Sequence, residues 1–280
     1  MAAACCLGAQ SLEDLLEDKQ RGYSLYTRLQ GSVNDSGSVT KLDTTAGYTF
    51  NRYFGVDAGL PLYIVRPAAG TTILGTRPRT GVGNAWTALR LTVPARVVTI
   101  MSVLTGTAPT GDSTQGFSTG AFTADWTTHF YRHAGRFMPF GSLGVANTIS
   151  DTPFYLRPFS SRGLVRQFEA GSTARVWRGN SLGASAYWVR PGGEQTIVSK
   201  LGVKQPRPPG SSLGRIFEIP GETVVEARLA RDQGFSMWYE ASPRSWLDAD
   251  IGYSRSRSFA LNSLFFSVGV NWKALVASRR

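Results

Sequence analysis

The chain is predicted to be all-β, a transmembrane up-and-down antiparallel β-barrel of about 12 strands. Three observations predict it. Apolar and polar residues alternate with period 2 in segment after segment. Very short links alternate with longer ones between these segments. No apolar run reaches the roughly 20 residues that a membrane-spanning helix needs.

The first residues, Met1 to Gln10, are small and apolar and carry both cysteines, Cys5 and Cys6. They read as a signal-peptide remnant over residues 1–10, although the usual basic start is missing, and the run before Cys5 makes a poor lipobox. Removal of this stretch leaves no cysteine, and with it no disulfide or thiol chemistry. Residues 11–21 are expected to form a short periplasmic segment, with a short helix from Ser11 to Lys19.

Residues 22–274 carry the strand signal, because successive side chains of an extended strand point to opposite faces. From Phe54 to Ile64 the even positions Phe54, Val56, Ala58, Leu60, Leu62 and Ile64 are apolar, while Gly55, Asp57, Gly59 and Tyr63 fall between them. Leu42 to Phe50, Phe122 to Phe130, Leu247 to Tyr253 and Leu264 to Trp272 repeat the split. Strand centres are placed near Leu25, Thr45, Leu60, Leu89, Met101, Trp126, Leu143, Ala170, Ala186, Trp238, Ile251 and Val268. Residues 275–280 form a C-terminal tail.

A soluble sandwich also alternates, so the links decide between the two. Tight turns are expected around Asn51-Arg52-Tyr53, Pro94-Ala95-Arg96, Ala134-Gly135, Gly179-Asn180 and Pro243-Arg244. Longer links are expected at about residues 33–38, 67–82, 108–118, 149–163, 191–221 and 255–262. This is the pattern of short periplasmic turns and longer external loops. Phe50, Tyr53, Phe54, Phe130, Tyr131, Phe137, Trp177, Tyr239, Trp246 and Trp272 gather near the tight turns, as an interfacial girdle would.

Charged residues fall on the face opposite the apolar one: Arg28, Lys41, Asp43, Asp57, Arg90, Asp125, His129, Glu169, Arg175, Glu226, Arg228, Glu240, Asp248 and Asp250. An arginine or lysine facing lipid at mid-depth costs roughly 2–4 kcal/mol, so these side chains are expected to line the lumen. Two readings stay open for them, a conduction path with an internal field and a paired network that closes the lumen. A barrel of this strand number is also expected to be too wide for side chains alone to fill, leaving room for water or a plug.

Thirty Lys and Arg against nineteen Asp and Glu give a net charge of +11. The basic residues are scattered through turns and loops beside no recognition helix or zinc spacing, so nucleic acid is not expected as a partner. The external basic residues Arg66, Arg77, Arg79, Arg157, Arg162, Arg190, Lys200, Lys204, Arg207 and Arg215 are expected near lipopolysaccharide phosphates. Of these, Arg77, Arg79, Arg157, Arg162 and Arg207 are the candidate phosphate contacts.

Only His129 and His133 could serve a Ser-His or metal site, and neither lies beside a nucleophile motif. No enzyme activity, cofactor or metal is expected, and an envelope enzyme using His129 ranks last among the alternatives.

Gly81-Val-Gly83-Asn84, Leu89-Arg-Leu91, Ala108-Pro-Thr-Gly-Asp112 and Gly116-Phe-Ser-Thr-Gly120 together resemble blocks of the outer-membrane barrels associated with the MetA-pathway of phenol degradation. Asn84 stands where that family usually carries Asp, and the chain ends in Ser278-Arg-Arg280 in place of a terminal aromatic. The resemblance implies an envelope channel for small compounds, aromatic or hydrophobic ones among them, and it identifies no catalytic residues. The chain is therefore expected to be an outer-membrane channel admitting small solutes passively through a charged lumen. The alternative is a closed-lumen structural or surface-interaction barrel.

Overall fold

The computed structural model describes residues 21–278 except 36, 68–77, 96, 114–116, 119, 150–158, 200–221 and 226–230. Its strands are β1 (Gly22–Asn34), β2 (Gly37–Thr49), β3 (Phe54–Pro67), β4 (Arg79–Val82), β5 (Trp86–Val93), β6 (Thr99–Thr107) and β7 (Thr123–Tyr131). They continue with β8 (Phe137–Ile149), β9 (Phe159–Trp177), β10 (Asn180–Ser199), β11 (Glu222–Val225), β12 (Asp232–Arg244), β13 (Leu247–Ser256) and β14 (Leu261–Asn271). One short helix, α1 (Trp272–Ala277), follows, with Asn271 as its N-cap and the Asn271 side chain accepting from Ala274 N at 3.1 Å.

Each strand pairs antiparallel with its ring neighbour, and the β9–β10 and β14–β1 pairings close a 12-strand barrel. Closure leaves no unpaired edge in the ring, which is the condition for a sheet to sit in hydrocarbon. The two remaining strands lie off the ring, β4 on β3 and β11 on β10. All the expected strand centres fall within ring strands.

Strands extend into the expected long links, β4 into 67–82, β9 into 149–163 and β10 into 191–221, and the shorter connections depart from expectation in three places. β1 and β2 pair without interruption from Gly22↔Thr49 to Asn34↔Gly37, so residues 33–38 hold a two-residue hairpin and not a longer link. Asn-Asp-Ser-Gly is turn chemistry, and it closes the hairpin as soon as the strands meet. Similarly, β13 and β14 remain paired as far as Ser256↔Leu261, leaving only residues 257–260 between them. The last tight turn sits at Ser245-Trp246, two residues beyond the expected place, because Arg244 still pairs with Leu247. Gly135 (φ 65°) and Gly179 (φ 72°) supply the left-handed backbone that two other tight turns need.

Large apolar side chains cover the outside, among them Leu60 (45% exposed), Leu143, Leu182, Ile251 and Leu264 (63%). Such a band would aggregate in water and is at rest in lipid. At the turn rim Tyr23, Tyr48, Phe50 and Phe54 form a continuous chain of ring contacts at 4.7–5.3 Å, and Trp177 meets Tyr239 at 6.2 Å. Phe50, Phe54, Trp177 and Tyr239 belong to the expected girdle and are joined by Tyr23 and Tyr48, whereas Tyr131, also expected there, is buried inside.

Leu60 lies midway along the outward face of β3. Leu60→Arg should cost about 2–4 kcal/mol and lower the urea midpoint for unfolding from lipid vesicles, read by the heat-dependent gel shift of folded barrels. Leu60→Val, which keeps the face apolar, should leave that midpoint nearly unchanged.

Candidate permeation path

The inward wall is polar and charged. Its geometry follows from strand register, which sets inward residues of neighbouring strands side by side around the barrel.

One row runs from Asp248 on β13 through Gly269 on β14 and Arg28 on β1 to Asp43 on β2. Gly269 is necessary there, because a Cβ would lie 1.6 Å from the Tyr26 hydroxyl and 2.5 Å from Asp248. In the space it leaves, the Arg28 guanidinium donates to Asp248 Oδ2 at 2.6 Å and to the Tyr26 hydroxyl at 2.7 Å, and that hydroxyl donates to Asp248 Oδ1. Both ionic partners are buried, at 3% and 7% side-chain exposure.

The next row joins Glu240, Asp250, Ser267, Gln30, Lys41 and Tyr63 across β12, β13, β14, β1, β2 and β3. Glu240 and Asp250 stand directly opposite each other. Ser267 donates to Asp250 Oδ2, and Lys41 Nζ reaches Asp43 Oδ2 at 2.5 Å. Asp43 Oδ1 and Asp250 Oδ1 are buried with no hydrogen-bond partner among the protein groups described.

Across the barrel, Asp57 on β3 and Asp125 on β7 share a row with Ala88 and Thr105. Arg90 lies 3.8 Å from Asp57 and donates to Thr49 Oγ1 at 3.4 Å. Thr127 donates to Asp125 at 3.0 Å. His129 is buried opposite Met101 and Ser142, and Glu169 is buried opposite Ser142 and Tyr187.

Most expected lumen residues therefore share the inward face, with Arg175 the exception among those described. Arg175 lies two residues before the end of β9 at the turn rim, is exposed, and lines a rim cavity with Arg136 and Arg178. A strand's inward face stops being enclosed over its last residues, which is why parity alone misplaced it. Glu226 and Arg228 lie outside the described residues, as do residues 1–20 and the basic residues Arg77, Arg157, Lys200, Lys204, Arg207 and Arg215. The remaining arginines expected in external loops all stand on strands: Arg66 is exposed on β3 and Arg190 half-buried on β10, whereas Arg79 on β4 and Arg162 on β9 lie opposite the inward Val65 and Thr148, so register turns these two candidate phosphate contacts toward the interior.

Three participants were missed. Asp232 is buried and accepts from Ser256 Oγ at 2.7 Å and Tyr187 Oη at 3.3 Å. Its signal was present, since Asp232, Gly234, Ser236, Trp238 and Glu240 continue one parity. Tyr26 shares the parity of Arg28 and was legible in the same way. Phe117 carries no periodic signal, because it reaches the interior from a loop.

The glycine-rich blocks explain how it does so. Gly111 N donates to Asn84 Oδ1 at 3.1 Å, Ala85 N to Thr110 Oγ1 at 2.7 Å, and Thr110 Oγ1 to Gly83 O at 3.3 Å. These bonds clasp the β6–β7 loop to the end of β4. Phe117, at 1% exposure, then packs with Val39 and stacks on Tyr63 at 6.0 Å. Gly81 permits this seat, since a Cβ there would lie 2.5 Å from the Phe117 ring.

Counted among the described residues, the inward carboxylates are Asp43, Asp57, Asp125, Glu169, Asp232, Glu240, Asp248 and Asp250, and the inward bases are Arg28, Lys41, Arg90, Arg79 opposite Val65 and Arg162 opposite Thr148. The chain is basic as a whole, yet this wall is acidic. Side chains such as Met101, Tyr131, Phe140, Tyr187, Trp238 and Phe265 are also buried inside, so space between the walls is tighter than strand number alone led one to expect.

No family model and no curated protein matches the chain. Solved structures of similar fold do match. The COG4313 outer membrane channel from Pseudomonas putida F1 aligns over 91% of this chain and 96% of its own, at 11% identity and a TM-score of 0.58. The KdgM porin in complex with disordered oligogalacturonate aligns over 88% and 98%, at 6% identity and a TM-score of 0.49. The first of these likenesses shows the fold. A closed barrel with a lipid-facing apolar band and a charged interior is an outer-membrane barrel, and that membrane is its location.

Proposed function

We propose that the protein is a narrow outer-membrane channel that passes small polar solutes and prefers cations. The excess of inward carboxylates over inward bases carries this reading. In a dry closed network each buried carboxylate oxygen without a partner costs roughly 1–3 kcal/mol, and Asp43 and Asp250 each have one. A solvated path meets that need with water or with passing cations. The motif resemblance extends this reading to small aromatic or hydrophobic solutes.

The chain is proposed to sit with its tight turns in the periplasm and its longer loops outside. The external face would then meet lipopolysaccharide phosphates. Support comes from Arg166 and Arg190, opposed on β9 and β10 just beyond Phe168 and Trp188, where two like charges side by side favour an anion between them.

A closed-lumen barrel with a structural role is the second reading, favoured by the near-complete burial of the inward side chains. Planar-bilayer recording separates the two. Discrete conductance with a reversal potential of cationic sign under a KCl gradient is expected. Silent bilayers containing folded barrel would sink the channel reading, and anion preference would sink its charge assignment.

A further inference from the structure

We infer that the turn rim is a binding site for anionic phospholipid headgroups, centred on Arg136, Arg175 and Arg178. The tight-turn segments 50–53, 132–136, 178–179 and 242–246 each hold at least one described arginine, and none holds an aspartate or glutamate. A rim basic in each of these turns, on a chain whose inward wall is acidic, is a segregated charge pattern and not a uniformly basic surface.

The structure gathers this charge most closely between two hairpin ends. Arg175 N donates to Arg136 O at 2.7 Å, which ties the end of β9 to the β7–β8 turn. Between these turns lies a cavity of about 380 Å³ lined by Arg136, Arg175, Val176, Trp177, Arg178 and Gly179. Trp177 is 57% exposed and packs on Tyr239, whose hydroxyl donates to Asn180, so the cavity adjoins the aromatic girdle. Guanidinium forks match phosphate oxygens, and an amphipathic ring beside them marks headgroup depth.

Its height in the bilayer fits. From Arg166 to Val176 the outward side of β9 runs ten residues, which at about 3.3 Å each and a tilt near 40° rise about 25 Å, the height of an outer-membrane apolar band. One arginine level thus meets each headgroup layer. In the orientation proposed above the turn rim faces the inner leaflet, whose phosphates are those of phospholipids. Binding from a symmetric bilayer does not depend on that orientation.

The test uses the full-length barrel in nanodiscs containing equal phosphatidylglycerol and phosphatidylcholine of identical acyl chains, with retained lipid counted by native mass spectrometry. Wild type should retain phosphatidylglycerol preferentially, and preference should fall about fivefold for each arginine neutralised, to near parity in R136Q/R175Q/R178Q. R166Q/R190Q should keep most of it. Where the triple variant fails to fold, Arg178→Gln, placed in the turn itself, should show the single-site loss. Equal retention of both lipids by wild type would overturn the inference. So would an unchanged preference in the rim variants, or a preference lost only in R166Q/R190Q. Full displacement of phosphatidylglycerol by soluble glycerol 3-phosphate would reassign the cavity to a free phosphate compound and overturn it too.

Discussion

Arg28→Met should destabilise the barrel by about 3–5 kcal/mol, the range for removing one partner of a buried ion pair. Among the described residues Arg28 is the base hydrogen-bonded to Asp248, and without it that carboxylate keeps the Tyr26 hydroxyl among its described bonds. Asp43, at the other end of the same row, and Asp250, in the next row, add repulsion in place of compensation. The urea midpoint of the heat-dependent gel shift should drop accordingly. Arg28→Met combined with Asp248→Asn removes both charges and should recover most of the loss, because the two residues form one coupled unit. A double variant as unstable as Arg28→Met alone would mean that Arg28 acts through its packing or through other carboxylates.

The same row shows how far sequence reasoning reaches. Strand period placed Arg28, Asp43 and Asp248 on one face, because alternation carries facing information at every residue. It could not bring Arg28 to Asp248, whose positions differ by 220 and meet only through the register of β14 with both neighbours. Register is a property of the closed sheet and of the links that set it. Links were also where the reading failed: residues 33–38 looked like a loop because polar turn residues look alike in a two-residue hairpin and in a longer excursion. The glycine blocks around Gly81 and Gly111 were visible as motifs, but their work, seating Phe117 against Tyr63, depends on contacts between segments some thirty residues apart. Arg175 shows the opposite failure, with correct parity and a rim position that parity does not encode.

Charge reversal on the inward wall should move ion selectivity in opposite directions according to sign. Asp125 is 4% exposed on β7, and its row contains Asp57 but no base. A unit charge about 6 Å from a permeating ion contributes about 2.8 kcal/mol at an effective dielectric constant near 20. Asp125→Lys changes two units, roughly 5.5 kcal/mol, and counterions and neighbouring groups screen much of this. If only about a quarter survives, about 1.4 kcal/mol, the cation-to-anion permeability ratio falls about tenfold. The reversal potential under a KCl gradient should then move toward zero. Arg90→Glu removes a base from beside Asp57 and should move it the other way, toward the limiting cationic value. Arg90→Gln should give about half that shift while avoiding two carboxylates side by side, so it guards against misreading a folding defect as a change in selectivity. Conductance that persists while every substitution leaves the reversal potential unmoved would show that permeating ions do not pass this face of the wall.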